Sequence, residues 1–217
     1  MTSASRPQQD TSAAHERVYR SLRSQIMHGE IDPGAALTLR GIGKTYDVSM
    51  TPAREAVRRL AAEGALTLSS SGRVTTPDLS PERIEELAAL RALLEPELAA
   101  RALPRAHLAL VDRLRAINAR VSECVAKKDA VGYIRTNLEF HRTLYLRAHA
   151  PAMLAMAETV WLQLGPTMRV LYATRHRSDL QRHHRMILVA LAAGDEPALR
   201  LAVRTDVTQG LKMLVAD

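Results

Sequence analysis

The sequence is poor in the residues that would mark most secreted, membrane or sheet-built proteins. One cysteine, Cys124, occurs in 217 residues, so no disulfide framework closes within the chain and a reducing compartment is expected. Aromatic residues make up 3%. The apolar 47% is mostly Ala, Leu and Val, which favours helix packing over a sandwich. No apolar run reaches the ~18 residues of a membrane span. Met1 to Ala13 is polar and lacks the apolar core of a secretory signal; residues 1–13 read as a disordered lead-in. The expected location is the cytoplasm, with no membrane partner. Concentrated positive charge is also missing. The net charge is +7, yet residues 1–78 hold 10 Lys and Arg against 8 Asp and Glu, while residues 79–217 hold 20 against 15. Charge alone is weak support for an anionic partner, and placement has to decide.

The most informative placement lies between Val48 and Gly64. Ala53, Val57 and Leu60 fall at helical spacing on one face. Ser49 or Thr51 suits the cap, Pro52 the first turn, and Gly64 the stop. Arg54 and Arg58 sit four apart on the polar face. Small hydroxyls followed by arginines suit a helix whose N-terminal turn enters a major groove, although a basic face is also the ordinary dress of a solvated helix. Upstream, Val18, Leu22 and Ile26 repeat at spacing four. A turn follows at residues 29–34, then a short helix from Leu39 to Tyr46. The link Asp47-Val48-Ser49 is short enough for a helix-turn-helix. Ala65 to Leu68 and Val74 to Thr76 alternate around a small polar turn, which reads as a hairpin wing.

Taken in order, Pro33-Gly34, Val48-Ser49, Thr51-Pro52, Arg54-Glu55-Ala56, Arg59-Leu60 and Glu63-Gly64 resemble the winged-helix domain of the GntR family of bacterial transcription regulators. The domain is expected over residues 14–77. The resemblance implies DNA contacts from Arg40, Ser49, Met50, Thr51, Arg54, Arg58, Gly72 and Arg73. Two positions depart from the family pattern. Met50 stands where arginine is usual and cannot hydrogen-bond a guanine. Leu39 stands where an acidic residue is common. A different operator preference is therefore expected.

Residues 78–217 read as an all-helical second domain. Helices are predicted at about Pro81–Ala102, Pro104–Ala126, Ala130–His149, Pro151–Thr174, Ser178–Ala193 and Glu196–Val215. The fold class is thus mainly α, a winged helix-turn-helix followed by a helical bundle. Four polar residues fall on apolar stripes of that bundle: Asn137 and His141, then His184, then Asp206. Burying them unpaired would be costly, and a shared divalent metal would satisfy all four, with Asn137 and His141 chelating from one helix face. The alternative is a set of hydrogen-bonded core residues. Arg91 also points inward, either to pair with Glu95 one turn on or to clamp a carboxylate.

Asn137-Leu138-Glu139-Phe140-His141 and His183-His184-Arg185-Met186-Ile187 resemble the two histidine motifs of the effector domain in the FadR subfamily of GntR regulators. The resemblance implies a divalent metal of the zinc or nickel type at Asn137, His141, His184 and Asp206. It further implies a small organic acid as effector, bound near Arg91, His141 and His184. Asn137 replaces a common aspartate and Asp206 a common histidine, so the donor set is harder than usual. His183, about 100° round the helix from His184, is left out. The function expected is a regulator, a repressor by family habit, binding a double-stranded operator as a homodimer under effector control. The competing readings are a metal-dependent enzyme with an accessory DNA-binding domain, and an architectural DNA-binding protein without an effector.

Overall fold

The computed structural model describes residues 6–69, 73–174 and 179–215. Helix α1 (Arg6–Met27) is followed by β1 (Ala36–Leu37), α2 (Leu39–Tyr46), α3 (Met50–Ala62), β2 (Thr67–Leu68) and β3 (Val74–Thr75). Helix α1 starts eight residues before the expected domain boundary, so residues 6–13 continue a helix instead of forming a disordered lead-in. Pro7 falls in its first turn, where no amide partner is lost, and no glycine interrupts its later turns. Val18, Leu22 and Ile26 are buried against Ile42, Ala53, Val57 and Leu60. Helix α3 packs across α1 and α2, and Gly64, at φ +72°, ends its run with a left-handed residue that a side chain would strain. Ser49 occupies the cap position but makes no capping hydrogen bond. The wing has three strands in the order β1-β3-β2, both pairs antiparallel. Strand β1 was not foreseen, because two residues cannot display an alternation. Thr76 fastens it: its hydroxyl donates to Asp32 O at 2.6 Å and accepts from Ala35 N–H at 3.0 Å.

The second domain holds six α-helices among the described residues: α4 (Pro81–Ala102), α5 (Leu108–Lys127), α6 (Ala130–Tyr145), α7 (Pro151–Thr174), α8 (Asp179–Ala193) and α9 (Glu196–Met213). Ser80 caps α4 and Asp195 caps α9 through their side chains. Helix α5 begins four residues later than Pro104 suggested, because Leu103–Arg105 forms a 3-10 turn and His107 takes the cap position. The expected start at Ser178 lies outside the described residues. Apolar stripes of α5, α6, α8 and α9 fill one core. A second core joins α4, α7 and α9. Pro96 and Pro166 lie within the continuous α4 and α7. No helix among the described residues is long and apolar enough to cross a membrane.

The domains meet along α7. Leu162 is fully buried in the N-terminal domain's core. Gln163 donates to Glu63 O at 3.0 Å, just past the end of α3, and accepts from Arg83 at 2.8 Å. A Cβ on Gly165 would lie 2.1 Å from Ile26 O, so only glycine lets α7 approach α1 this closely.

Candidate DNA-binding and effector sites

Helix-turn-helix geometry turns one face of α3 to solvent while Ala53, Ala56, Val57 and Leu60 face the core. Arg40, Ser49, Met50, Thr51, Arg54, Arg58 and Arg73 are all exposed; Gly72 lies outside the described residues. Arg58 is held by Glu55 at 3.1 Å. Arg59, next to it, turns the other way: it pairs with Glu16 at 2.9 Å and stacks 3.6 Å over the Tyr19 ring, a structural post joining α1 to α3. Arg40 and Arg54 have no ion-pair partner among the described residues and so keep their donors for an external anion. Met50 is 43% exposed at the start of α3, an apolar side chain in the helix's first turn. Across the wing turn, Arg73 N–H donates to Ser69 Oγ at 3.0 Å.

In the bundle, a polar network crosses the apolar core. Glu95 is fully buried. Its carboxylate accepts from Arg91 Nε at 2.5 Å, Tyr145 Oη at 2.9 Å and Trp161 Nε1 at 3.0 Å. Arg91 therefore does pair with Glu95, and it also lines a narrow polar cavity with Asn137 and Asp206. Burial alone would lower the pKa of Arg91, but Glu95 outweighs it and keeps the guanidinium charged. Burial, followed by the Glu95 carboxylate, holds the Tyr145 phenol well above its ordinary value. Tyr145 is thus a phenol whose one proton goes to Glu95.

That proton fixes the next ring. Tyr145 Oη also lies 3.1 Å from His141 Nδ1; having given its proton away, it must accept, so His141 carries hydrogen on Nδ1. In neutral His141, Nε2 is then a lone-pair atom. It lies 2.9 Å from Asp206 Oδ2 and 3.4 Å from His184 Nε2. His184 repeats the pattern, with Nδ1 3.0 Å from the side-chain oxygen Oδ1 of Asn118 and its ring stacked 3.9 Å from Phe140. Two imidazole lone pairs and a carboxylate facing one point repel unless a cation lies among them. A proton serves at the His141–Asp206 contact. A metal with bonds of about 2.1 Å spaces its ligands about 3.0 Å apart in cis octahedral positions and about 3.4 Å apart in tetrahedral ones, close to the separations here. All three donor atoms lie within 4.8 Å of one another. The outward hydrogen bonds to Tyr145 and Asn118 are those that orient metal-bound imidazoles. The residues present fit a divalent cation. Burial opposes the charge on Asp206, but the hydrogen bond from His141 and the neighbouring imidazoles overcome it and hold its carboxyl below the ordinary range.

Four participants escaped the sequence. His183, excluded by its helical angle, is buried with Nδ1 3.7 Å from Asp206 Oδ1 and no hydrogen-bond partner for that atom among the described residues; α9 runs beside α8, so Asp206 faces both histidines. Asn118 and Trp161 gave no signal, since each contact joins elements far apart in sequence. Tyr145, one helical turn past His141, shares its inward face, but nothing in the sequence gives it a role.

Comparison with known proteins agrees with this architecture. A family profile described as bacterial regulatory proteins, gntR family, matches residues 14–75, and one described as FCD domain matches residues 86–209. The HTH-type transcriptional regulator McbR of Escherichia coli K12 is 28% identical over 203 residues, covering 91% of each chain. The gluconate operon transcriptional repressor of Bacillus subtilis 168 is 30% identical over 152 residues, 70% of this chain and 60% of that protein. The solved structure of E. coli McbR/YncC superposes with a TM-score of 0.84 at 25% identity, covering 94% of this chain and 97% of that one. A GntR protein from Rhodococcus sp. RHA1 shares the fold, at TM-score 0.78 and 22% identity over 94% of this chain and 98% of its own. With a DNA-reading module at one end, an effector module at the other and relatives named as regulators, not enzymes, this chain belongs to the GntR family of bacterial transcription regulators, in the branch that carries an FCD effector domain.

Proposed function

We propose that the chain is a repressor that binds an inverted-repeat operator as a homodimer and is controlled by a small organic acid bound in the helical domain. The observation that carries the effector half is the convergence of His141 Nε2, His184 Nε2 and the Asp206 carboxylate on one point. Those residues, with Asn137 from the turn before His141, would hold a divalent metal of the zinc or nickel type. Such a metal supplies a positive centre on which a carboxylate rests. Arg91, at the edge of the same cavity, adds a second positive charge. Repression is supported by the named activity of the gluconate operon relative.

In the DNA-binding half, α3 enters the major groove and the wing follows the backbone. Arg40, Arg54, Arg58 and Arg73 contact phosphates or base edges, Ser49 and Thr51 phosphates, and Met50 apolar base surface. Two copies related by a two-fold axis place two α3 helices about one helical turn of DNA apart.

The message runs through one turn of α7. Trp161 bonds Glu95, which bonds Arg91 and Tyr145, and Tyr145 meets His141. The next residues, Leu162 and Gln163, are fixed in the N-terminal domain. An effector that moves Arg91 pulls on Glu95 and hence on the turn that holds α3, biasing DNA-competent against incompetent arrangements. Selection of bound duplexes from a random pool by the full-length protein tests the operator reading. An inverted repeat with half-sites about 10 base pairs apart is expected; a pool enriched for no motif would overturn it.

A further inference from the structure

A second cavity, of about 390 Å³, lies between the two domains, within the range of about 300–1,000 Å³ typical of small-molecule sites. Its basic lining is Arg23 of α1, His28 just past the end of that helix, and Arg135 and Arg142 of α6. Its apolar lining is Met27, Leu138 and Trp161, and its acidic lining is Glu139, paired outward with Arg120, and Glu158. It is separate from the cavity at Arg91. Helix α6 turns Tyr133 and Asn137 to the inner cavity and Arg135, Leu138 and Arg142 to this one. Each of the three arginines is tethered by one carboxylate: Arg23 by Glu63 at 3.3 Å, Arg135 by Glu30 at 2.8 Å, and Arg142 by Glu158 at 2.7 Å. Every tether uses a single nitrogen, and a guanidinium has five N–H donors in a planar fork. The tethers orient the forks and leave donors for a further anion. Burial, and then the Arg135 charge, lower the pKa of His28, so the arginines carry the positive charge.

We infer that this seam is a second ligand site, taking a small organic anion with a flat apolar body, its carboxylate on the Arg135 and Arg142 forks and its body against Leu138 and Trp161. The planar carboxylate matches the guanidinium geometry, and a flat ring suits the indole wall. Because α1 supplies one side and α6 and α7 the other, an occupant bridges the DNA-binding and effector domains. The site needs no metal, which makes it independent of the inner one.

Trp161 is the sole tryptophan in the sequence, so indole emission reports this wall and, through the Trp161–Glu95 hydrogen bond, the inner network as well; the metal-stripped form and the arginine variants separate the two. The probe is benzoate, titrated into the full-length protein both metal-stripped and zinc-loaded. A saturable change in Trp161 emission is expected in both forms, with half-saturation weakened about tenfold or more by Arg142→Gln and by Arg135→Gln. Both side chains are more than half exposed, so the folds should survive, checked by thermal melting; either variant alone suffices. No saturable change, a change seen only with zinc, or titrations indifferent to the arginine variants would overturn the proposal.

Discussion

Arg54 and Met50 lie within one turn of each other on α3, and they make opposite predictions. Arg54→Ala removes an exposed guanidinium with no ion-pair partner among the described residues, so stability should change by no more than about 0.5 kcal/mol. Affinity for the selected operator should fall by about 1–3 kcal/mol, measured by fluorescence anisotropy; an unchanged isotherm would strike Arg54 from the contact surface. Met50→Arg restores a guanine-reading side chain at a position already 43% exposed. It should shift the selected motif toward guanine at one position per half-site, with discrimination of about 1–3 kcal/mol. In the bundle, His184→Ala should abolish zinc-dependent thermal stabilisation, since ligand binding to the folded state is what raises the melting temperature. That variant also removes a ring stacked on Phe140, so Asp206→Asn, which keeps the shape and removes only the charge, is its companion. If both variants still bind zinc with unaltered stoichiometry, the two histidines are core residues held by Tyr145 and Asn118.

At the scale of elements, what the sequence made legible was whatever repeats. The stripes Val18-Leu22-Ile26 and Ile134-Leu138-His141-Tyr145 fixed which faces are buried, and with them the inward aim of His141, because a helix cannot turn one residue of a stripe away. Arg91 and Glu95 were readable as a pair, being one turn apart. Contacts between distant elements were not readable: Trp161 to Glu95, His184 to Asn118 and His183 to Asp206 each depend on how two helices pack. Strand β1 was too short to leave a pattern. Gly165 shows what such packing demands. A Cβ there would meet Ile26 O at 2.1 Å and Met27 Cα at 2.8 Å, both backbone atoms that cannot rotate aside. Gly165→Ala gains helix propensity within α7, yet it must push α7 off α1. Overpacking of this kind costs about 1–3 kcal/mol, so the melting temperature should fall by about 2–12 °C for a chain of this size. A rise would mean that the two helices stand further apart than the close approach requires.

At the scale of the molecule, the inner site and the operator make one joint prediction. A winged helix presents only one reading helix, whose few base contacts fall short of a specific site in a genome, and a two-fold dimer doubles them. The proposed effector site is different in kind: His141, His184 and Asp206, from α6, α8 and α9, meet within one chain. Metal stoichiometry should therefore follow the chain and not the assembly. Native mass spectrometry of the full-length protein, purified without chelator, separates the two questions in one spectrum. The expected mass is that of two chains with two metal ions. Brief acid or chelator treatment should remove the ions and leave the dimer, because protonated imidazoles release metal and the three donors lie within one helical bundle. Dimers holding one ion per pair would require a ligand set shared across the two-fold axis, against the geometry of His141, His184 and Asp206. A monomer at concentrations that saturate the operator would remove the two-fold arrangement and leave α3 to read a single half-site.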